Sequence, residues 1–229
     1  MALLKLDNIS KIYQSNKVGV VALKDVSFEV EAGEFLSLAG PSGSGKTTAL
    51  NLIGCLDNPT EGDLFIDQTN ISTQSKSDLA LLRRRHIGFV FQTFNLIPIL
   101  TAFENVELPL ILKSNDNPEE RKSKVSEILT IVGLKDLMHR KPIEMSGGQQ
   151  QRVAVARALV KEPKLVLADE PTANLDSKTG KDVLELMQKL NQDKGVTFIF
   201  STHDTMVMDF AHRIITLKDG QIHRDDKRR

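Results

Sequence analysis

The sequence predicts an α/β protein in which helices cover a mainly parallel sheet. Four short, near-continuous apolar runs, at 33–40, 86–92, 164–170 and 196–203, have the length and composition of strands buried on both faces. Helical patterns lie between them along the chain, as the crossovers of a parallel sheet require. We therefore expect one domain spanning residues 1–229.

A helix is expected at 46–56, directly after the first buried run. Its apolar stripe is formed by Leu50, Ile53 and Leu56. The strands before about Val30, together with the stretch at 62–67, are expected to form a small antiparallel addition to the core.

The segment 93–162 reads as a helical insertion. Asn117 has the character of an N-cap, Pro118 follows at the first helical position, and the helix is expected to end at Gly133. Its apolar stripe is Val125, Ile128, Leu129 and Val132. A further helix after Ser146 has Val153, Ala156 and Val160 on one face. We therefore divide the domain into an α/β core at 1–92 and 163–229 and a helical subdomain at 93–162.

The composition is that of a soluble globular protein. The chain has 229 residues and a formal net charge of zero, which argues against a nucleic-acid partner. A single cysteine, Cys55, fits a reducing compartment. No run approaches about 18 uninterrupted apolar residues, so we expect no membrane span. The charged N-terminus does not resemble a signal peptide.

The stretch Gly40–Thr48 matches the phosphate-binding pattern G-x-x-x-x-G-K-[ST] between a strand and a helix. Glycines allow successive backbone N–H groups to surround phosphate oxygens at a helix N-terminus. Lys46 is expected to reach the β- and γ-phosphates, Thr47 to bind Mg²⁺ and Thr48 to contact the α-phosphate. The nucleotide-binding set is Gly40, Ser42, Gly43, Ser44, Gly45, Lys46, Thr47 and Thr48. A P-loop NTPase core is therefore predicted.

Polar side chains end two of the other strands. We assign Asp169 to Mg²⁺ and Glu170 to the attacking water, because ligands of open α/β sheets bind at the carboxyl edge. Without the phosphate loop, these acids would read equally well as a solvated strand end. His203 follows another apolar strand and is expected to hydrogen-bond a γ-phosphate, although a lone histidine is more often structural. The other histidines are assigned structural roles.

A second glycine turn, Ser146-Gly147-Gly148-Gln149, also begins a helix. Together with Lys46, Gln92 and the stretches "LADEP", "ANLD" and "STHD", it appears in the order and approximate spacing of ATP-binding-cassette (ABC) ATPases. The chain resembles this family over essentially its whole length. The resemblance implies a RecA-like P-loop core, ATP and Mg²⁺ as ligands, and ATP hydrolysis.

The resemblance also implies how the second turn is used. In ABC ATPases two copies pack head to tail, so Ser146, Gly147, Gly148 and Gln149 would serve the γ-phosphate held by the other copy. By the same resemblance Asp176 crosses between subunits, Tyr13 stacks on adenine, and Gln92 senses Mg²⁺ and the attacking water. The chain has Met145 where the family usually has leucine, and Thr47 where serine is frequent. Both changes keep the relevant chemistry.

Finer similarity is to the subfamily of the lipoprotein-releasing ATPase LolD and the macrolide exporter MacB. It rests on the phosphate-loop segment, the segment that begins at the second glycine turn and the stretch "ENVELPL". It implies a cytoplasmic subunit at the inner membrane face, driving export or extraction through a permease that docks near Phe94–Leu110. The alternative is an FtsE-like ATPase that signals through a membrane partner. An importer ATPase or a soluble ABC protein acting on DNA or ribosomes fits less well. The cargo remains open.

Overall fold

The structure, a computed structural model, describes residues 2–15, 18–113 and 117–228. This part of the chain forms two sheets, seven α-helices and two short 3₁₀ helices. The strands are β1 (Ala2–Ser15), β2 (Val18–Glu31), β3 (Phe35–Ala39), β4 (Glu61–Ile66), β5 (Thr69–Asn70), β6 (Ile87–Val90), β7 (Leu165–Asp169), β8 (Thr197–Thr202), β9 (Arg213–Lys218) and β10 (Gln221–Lys227). The helices are α1 (Lys46–Ile53), α2 (Lys76–His86), α3 (Ala102–Lys113), α4 (Pro118–Ile131), α5 (Gly147–Leu159), α6 (Ser177–Lys194) and α7 (Thr205–Phe210).

The larger sheet has the strand order β10-β9-β3-β8-β7-β6. Its pairs β3–β9, β3–β8, β8–β7 and β7–β6 are parallel, and only β10 runs antiparallel to its neighbour. The predicted α/β class with a parallel sheet is confirmed. Strands β9 and β10 are additional to the four predicted strands of this sheet.

The smaller sheet is antiparallel, with the order β2-β1-β4-β5. Strands β1 and β2 form a long hairpin, and β4 pairs with the other edge of β1. This is where the sequence places the antiparallel addition.

Alternating side chains of the parallel strands supply two separate cores, because neighbouring residues of a strand point to opposite faces. Phe35, Val166 and Phe198 pack with the apolar side chains of α3, α4, α5 and α6. Their neighbours Leu36, Leu167 and Ile199 pack with α1 and the antiparallel sheet. The parallel sheet is thus the layer between the two cores.

The segment between β6 and β7 is largely helical. Asn117 caps α4, since its side chain accepts a hydrogen bond from Glu119 N, and Pro118 occupies the first turn. The apolar stripes of α4 and α5 are buried in the first core; they are Val125, Ile128, Leu129, Val132, Val153, Ala156 and Val160.

The helix that follows the phosphate loop is shorter than predicted. It ends at Ile53, and Cys55 has a φ of 56°, outside the helical region. Leu56 is therefore half exposed instead of forming part of the apolar stripe. Among the residues described here, no helix is both long and apolar enough to cross a bilayer.

Arg213 joins the edge of the parallel sheet to the antiparallel layer. Its guanidinium donates two hydrogen bonds to the Asp225 carboxylate on β10, at 2.8 and 2.7 Å. It also donates to Glu29 O at 2.7 Å and pairs with Glu34 at 3.1 Å. Hydrogen bonds from Arg213, which outweigh burial, hold the pKa of Asp225 below its usual range. The stabilisation is therefore complete above the ordinary carboxyl pKa and is lost as the pH falls through the lowered value.

Replacing this arginine should weaken the fold measurably. Arg213→Ala leaves partners without their donor and should lower the free energy of unfolding by roughly 2–3 kcal/mol. Arg224 pairs with Asp226 on an exposed face, so Arg224→Ala should cost less than about 1 kcal/mol. Urea denaturation of both variants tests this, and equal midpoints would contradict it.

Candidate active site

The strand register brings three chain segments to one edge of the parallel sheet. Ala39 of β3 lies opposite Thr202 of β8, and Ser201 lies opposite Asp169 of β7. The residues that follow these strands, Gly40, His203 and Glu170, therefore emerge side by side at the carboxyl edge. Ligands bind at this edge in open α/β sheets.

Glycines shape the loop that follows β3. Gly40 has a φ of 146°, and a Cβ there would lie 2.2 Å from Leu217 O. Gly45 has a φ of 102°, and its Cβ would lie 2.7 Å from Ala22 O. Gly43 also has a positive φ, of 80°, but no atom lies within 4 Å of its Cβ position. Both ends of the loop therefore pack tightly against backbone carbonyls, whereas its middle is open and leaves space for a phosphate.

The loop is fixed to β-structure on both sides. Gly220 N donates to Ser44 O at 3.2 Å, and Lys24 N donates to Gly220 O at 2.8 Å. The β9–β10 turn therefore links the loop to the hairpin of the antiparallel sheet. The Ser44 hydroxyl is buried and has no hydrogen-bond partner among the described residues, so it is free to donate to a polar ligand.

Lys46 is held by the loop itself. The residue is buried, and its Nζ donates to Gly40 O at 2.7 Å and to Pro41 O at 2.9 Å. Both acceptors are neutral carbonyls. An anionic ligand in the loop would offer a stronger, charge-assisted bond.

Glu170 is held in an unusual position after β7. Its φ is 46°, and its backbone N donates to Ser201 O at 2.9 Å. Thr202 Oγ1 donates to Oε2 at 2.9 Å, and His203 Nδ1 lies 2.6 Å from Oε1. A strained backbone retained at such a point is typical of a functional site. The carboxylate is mostly buried, whereas the His203 side chain is 71% exposed and can move.

Asp169 is the second acid of this edge. Burial, the largest cause, and the charge of Glu170 raise its pKa, while Ser201 and Lys46 oppose the rise. Thr47, Asp169 and Gln92 offer hydroxyl, carboxylate and amide oxygens, the donor type that Mg²⁺ takes in proteins. Mg²⁺ bound beside phosphates needs only one or two carboxylates, so this donor set fits it.

A cleft of about 410 Å³ runs along this edge. Its walls are formed by Val20, Val21, Ala22, Ser42, Gly43, Gly45, Lys46, Thr47, Thr48, Gln92, Glu170, Ala173, Ser201 and His203. The structure thus brings seven of the sequence-predicted loop and catalytic positions beyond the glycines into one cavity: Ser42, Lys46, Thr47, Thr48, Gln92, Glu170 and His203.

Tyr13 is not a wall of the cleft, but it lies beside Val20, which is one. It pairs with Val20 across the β1–β2 ladder, and directly opposed residues share a face of the sheet. Burial, the largest cause, and the Asp57 carboxylate raise the pKa of the Tyr13 phenol, and the Thr48 hydroxyl lowers it. The tyrosine is therefore a neighbour of the first turn of α1.

The second glycine turn, formed by Ser146, Gly147, Gly148 and Gln149 and called the signature turn below, lies outside the cleft. Ser146 caps α5: its Oγ accepts from Gln149 N at 3.3 Å, and Gln149 Oε1 accepts from Ser146 N at 2.9 Å. A Cβ on Gly148 would lie 2.2 Å from Thr179 Cγ2, and one on Gly147 would lie 3.2 Å from Leu175 Cδ2. None of the four signature residues, all of them described, is a wall of the cleft.

Asp176 caps α6, next to this turn. Its side chain accepts a hydrogen bond from Thr179 N at 3.0 Å, and the Thr179 contacts lower the pKa of its carboxyl. Asn174 Nδ2 donates to Gln92 O at 3.0 Å. The sequence-predicted Asp176 thus belongs to a segment that contacts Gln92 and packs against the signature turn.

Thr202 and Asn174 were not predicted as residues that support the site. Thr202 holds the Glu170 carboxylate, and Asn174 holds the backbone of Gln92. Thr202 could have been found from its place beside His203 at a strand end. The contact of Asn174 depends on chain segments far apart in sequence and gives no local signal.

A loop that can surround phosphates and a carboxylate that can direct water meet at one sheet edge. This is the arrangement of the P-loop nucleoside triphosphatases, which also have a parallel sheet.

The chain belongs to the ABC transporter family, whose family model matches residues 23–173. It is similar to the uncharacterized ABC transporter ATP-binding protein MJ0796 of Methanocaldococcus jannaschii, with 50% identity over 99% of this chain and 98% of that protein. It is also 46% identical to the macrolide export ATP-binding/permease protein MacB of Syntrophobacter fumaroxidans, over 97% of this chain but 31% of MacB.

Solved structures agree with these relatives. A dimeric structure of the MJ0796 cassette, described as a post-hydrolysis state bound to ADP and Pi, superposes with a TM-score of 0.90 over 99% of both chains. A second dimeric structure of MJ0796 gives the same TM-score. The predicted family and the P-loop fold are confirmed, and the chain is an ATP-hydrolysing cassette.

Two loop glycines with positive φ make a matched pair for mutation. Gly43→Ala should cost about 1–2 kcal/mol of unfolding free energy, because only the backbone conformation is strained. Gly45→Ala adds a clash with a backbone carbonyl and should cost roughly 2–5 kcal/mol. Denaturation without nucleotide separates the two. Equal losses would show that φ alone, and not the contact with β2, sets the requirement at Gly45.

Proposed function

We propose that this chain is the ATP-hydrolysing subunit of an export or extraction complex of the LolD/MacB type. It dimerises around two ATP molecules and drives a separate membrane subunit. The observation that carries the proposal is the position of the signature turn, which lies outside the cleft of its own chain. The dimeric structures of MJ0796, 50% identical to this chain, support a second copy as the source of that turn.

The loop residues bind the nucleotide. Lys46 would leave the carbonyls of Gly40 and Pro41 for the β- and γ-phosphates, and Ser44 and Thr48 would donate to phosphate oxygens. Thr47, Asp169 and Gln92 would hold Mg²⁺, which when bound neutralises charge on the transferring phosphoryl group. The exchange at Lys46 replaces two neutral acceptors by charged ones and therefore favours binding.

Glu170 would orient the attacking water and accept its proton. Its Oε2 stays fixed by Thr202, so freeing Oε1 from His203 is enough to present one oxygen to water. The exposed His203 would then turn to the γ-phosphate. His203 would thus exchange its contact with Glu170 for one with the γ-phosphate. The Glu170 carboxylate would therefore become available to water only when that phosphate is present.

The signature turn of the second copy would close the open side of the site. Ser146 and Gln149 already fix the first turn of α5 through their reciprocal hydrogen bonds. The free N–H groups and the positive end of the helix dipole would face the γ-phosphate. Asp176, which lies beside this turn, would cross the subunit boundary with it.

Blocking hydrolysis should trap the dimer. Glu170→Gln should abolish steady ATP turnover while retaining ATP binding, and it should sediment as a dimer in ATP and as a monomer without it. Adding Ser146→Arg should prevent ATP-dependent dimerisation, because the bulky cation occupies the turn that meets the phosphate. Sedimentation velocity with and without ATP tests both variants.

Nucleotide binding by the Ser146→Arg single variant is the control, since the turn lies outside its own cleft. Loss of ATP binding by that variant would contradict the placement of the turn in trans. Undiminished turnover by Glu170→Gln would remove Glu170 from the role of base.

A membrane subunit is the proposed load of this cycle. MacB relatives combine an ATP-binding and a permease part in one protein, and this chain matches about a third of their length. The segment Phe94–Leu110 would receive the permease. Ile99 there is 75% exposed, unusual for isoleucine, and Ile97 beside it is 36% exposed. The subunit would then be cytoplasmic and peripheral to the inner face of the membrane, with no nucleic-acid partner.

Copurification tests the membrane partner. A tagged Glu170→Gln protein, isolated from detergent-solubilised membranes in ATP, should carry an integral membrane protein with a large extracytoplasmic domain, identified by mass spectrometry. Ile99→Glu should reduce its recovery at least about tenfold, because a charge would be buried at the interface. Ile131→Glu is the control, since Ile131 is also exposed but lies at the end of α4.

The identity of the captured protein decides between the alternatives. A partner linked to cell-wall enzymes would favour an FtsE-like signalling ATPase. Capture of ribosomes or DNA alone would refute the membrane role, and the ATPase assignment would stand.

A further inference from the structure

A polar cluster outside the cleft holds Tyr13 from two sides. Asp57 Oδ2 accepts the hydrogen bond of the Tyr13 hydroxyl at 3.0 Å. Lys11 Nζ lies 4.9 Å from the centroid of the Tyr13 ring and donates to Asp57 Oδ1 at 2.7 Å. It donates also to Asn58 O at 2.7 Å. The Asp57 carboxylate thus binds both the Tyr13 hydroxyl and the Lys11 ammonium, which lies over one face of the Tyr13 ring.

The cluster is built more firmly than an ordinary surface ion pair. The Lys11 side chain is only 11% exposed, although lysine is rarely buried. Burial raises the pKa of the Asp57 carboxyl, but hydrogen bonds from Lys11, Asn58 and Tyr13 together lower it below its usual value. Asp57 therefore remains ionised and keeps both partners in place at neutral pH.

The chain path connects this cluster to the phosphate loop. Lys46 begins α1, and Asp57 follows just after the end of that helix. Thr60 then ties the same loop to β1, since its hydroxyl accepts from Ile12 N at 3.0 Å and its backbone N donates to Ser10 O at 2.8 Å. Helix α1 thus begins at the phosphate loop and leads, just after its end, to Asp57, which supports Tyr13.

We propose that Asp57, with Lys11, is a positioning residue for the nucleotide base: it fixes the Tyr13 ring beside the cleft before the nucleotide arrives. The inference rests on the ATP site of the proposed function. Lys11 occupies one ring face, so the base stacks on the other. A ring fixed in advance loses less conformational freedom when the base binds.

The alternative is that the cluster only stabilises the fold. The two roles differ in which ligands they affect. A positioning role concerns the base alone, whereas a distorted fold would disturb the phosphate loop that begins the same helix. ADP and inorganic pyrophosphate separate the two, because pyrophosphate has the phosphates and no base.

Calorimetric titration of the full chain with Mg²⁺ and either ligand tests the proposal. Tyr13→Phe keeps the ring and removes its tether, and Asp57→Ala removes the support. Each should weaken ADP binding about threefold to tenfold, the cost of ordering one free side chain. Pyrophosphate binding should change less than about twofold in the same variants, within the ordinary additivity error. Asp7→Ala, which breaks the exposed Lys5–Asp7 pair on the same strand, should alter neither ligand.

Two results would overturn the inference. Equal weakening of both ligands by Asp57→Ala and Tyr13→Phe would assign the cluster to folding alone. Unchanged ADP affinity in both variants would show that the tether does not act on the base. If Asp57→Ala fails to fold, Tyr13→Phe decides alone. Because neither ligand is hydrolysed or requires the dimer, these outcomes are independent of the Glu170→Gln test.

Discussion

The in-register parallel pairing of β3, β8 and β7 is the constraint on which the site depends. It places the phosphate loop, His203 and Glu170 at consecutive positions along one sheet edge. A shift of one residue would turn Glu170 to the opposite face, because the side-chain period of a strand is two. The same period separates the two cores, so the packing that stabilises the sheet also fixes the register that aligns the site.

This edge concentrates opposite charges, and two of them, Lys46 and Glu170, are hydrogen-bonded within the chain. Lys46 bonds to loop carbonyls, and Glu170 bonds to Thr202 and His203. Neither group is therefore left unpaired in a partly buried setting, where an unpaired charge would be costly. In the proposed cycle a nucleotide would replace these contacts instead of adding to them, so binding and activation would be the same rearrangement. The imidazole of His203 is exposed, so it could turn away while the Thr202 contact remains.

Local patterns made most of the core predictable. The four buried strands follow from short apolar runs, and the phosphate loop follows from its glycines and flanking elements. Tyr13, Gln92 and Asp176 came only from family resemblance, because no local pattern gives them a role. The Lys11–Asp57 cluster could not be predicted, because the two residues are 46 positions apart in the sequence and meet only in the folded chain. Leu56 was misplaced because its helical spacing continues beyond the point where α1 ends.

The signature turn shows how packing and phosphate chemistry can require the same residue. The tight Ser-Gly-Gly sequence suggests phosphate, yet in the folded chain Gly148 faces Thr179 of α6 so closely that a methyl group would collide with it. Glycine is therefore needed there before any ligand is considered. The close approach packs the start of α5 against the start of α6, where Asp176 is the cap. Thr179 contacts Gly148 through its side chain and donates to Asp176 through its backbone N. A displacement of the turn would therefore reach Asp176, so the two elements that would meet a second copy are mechanically linked.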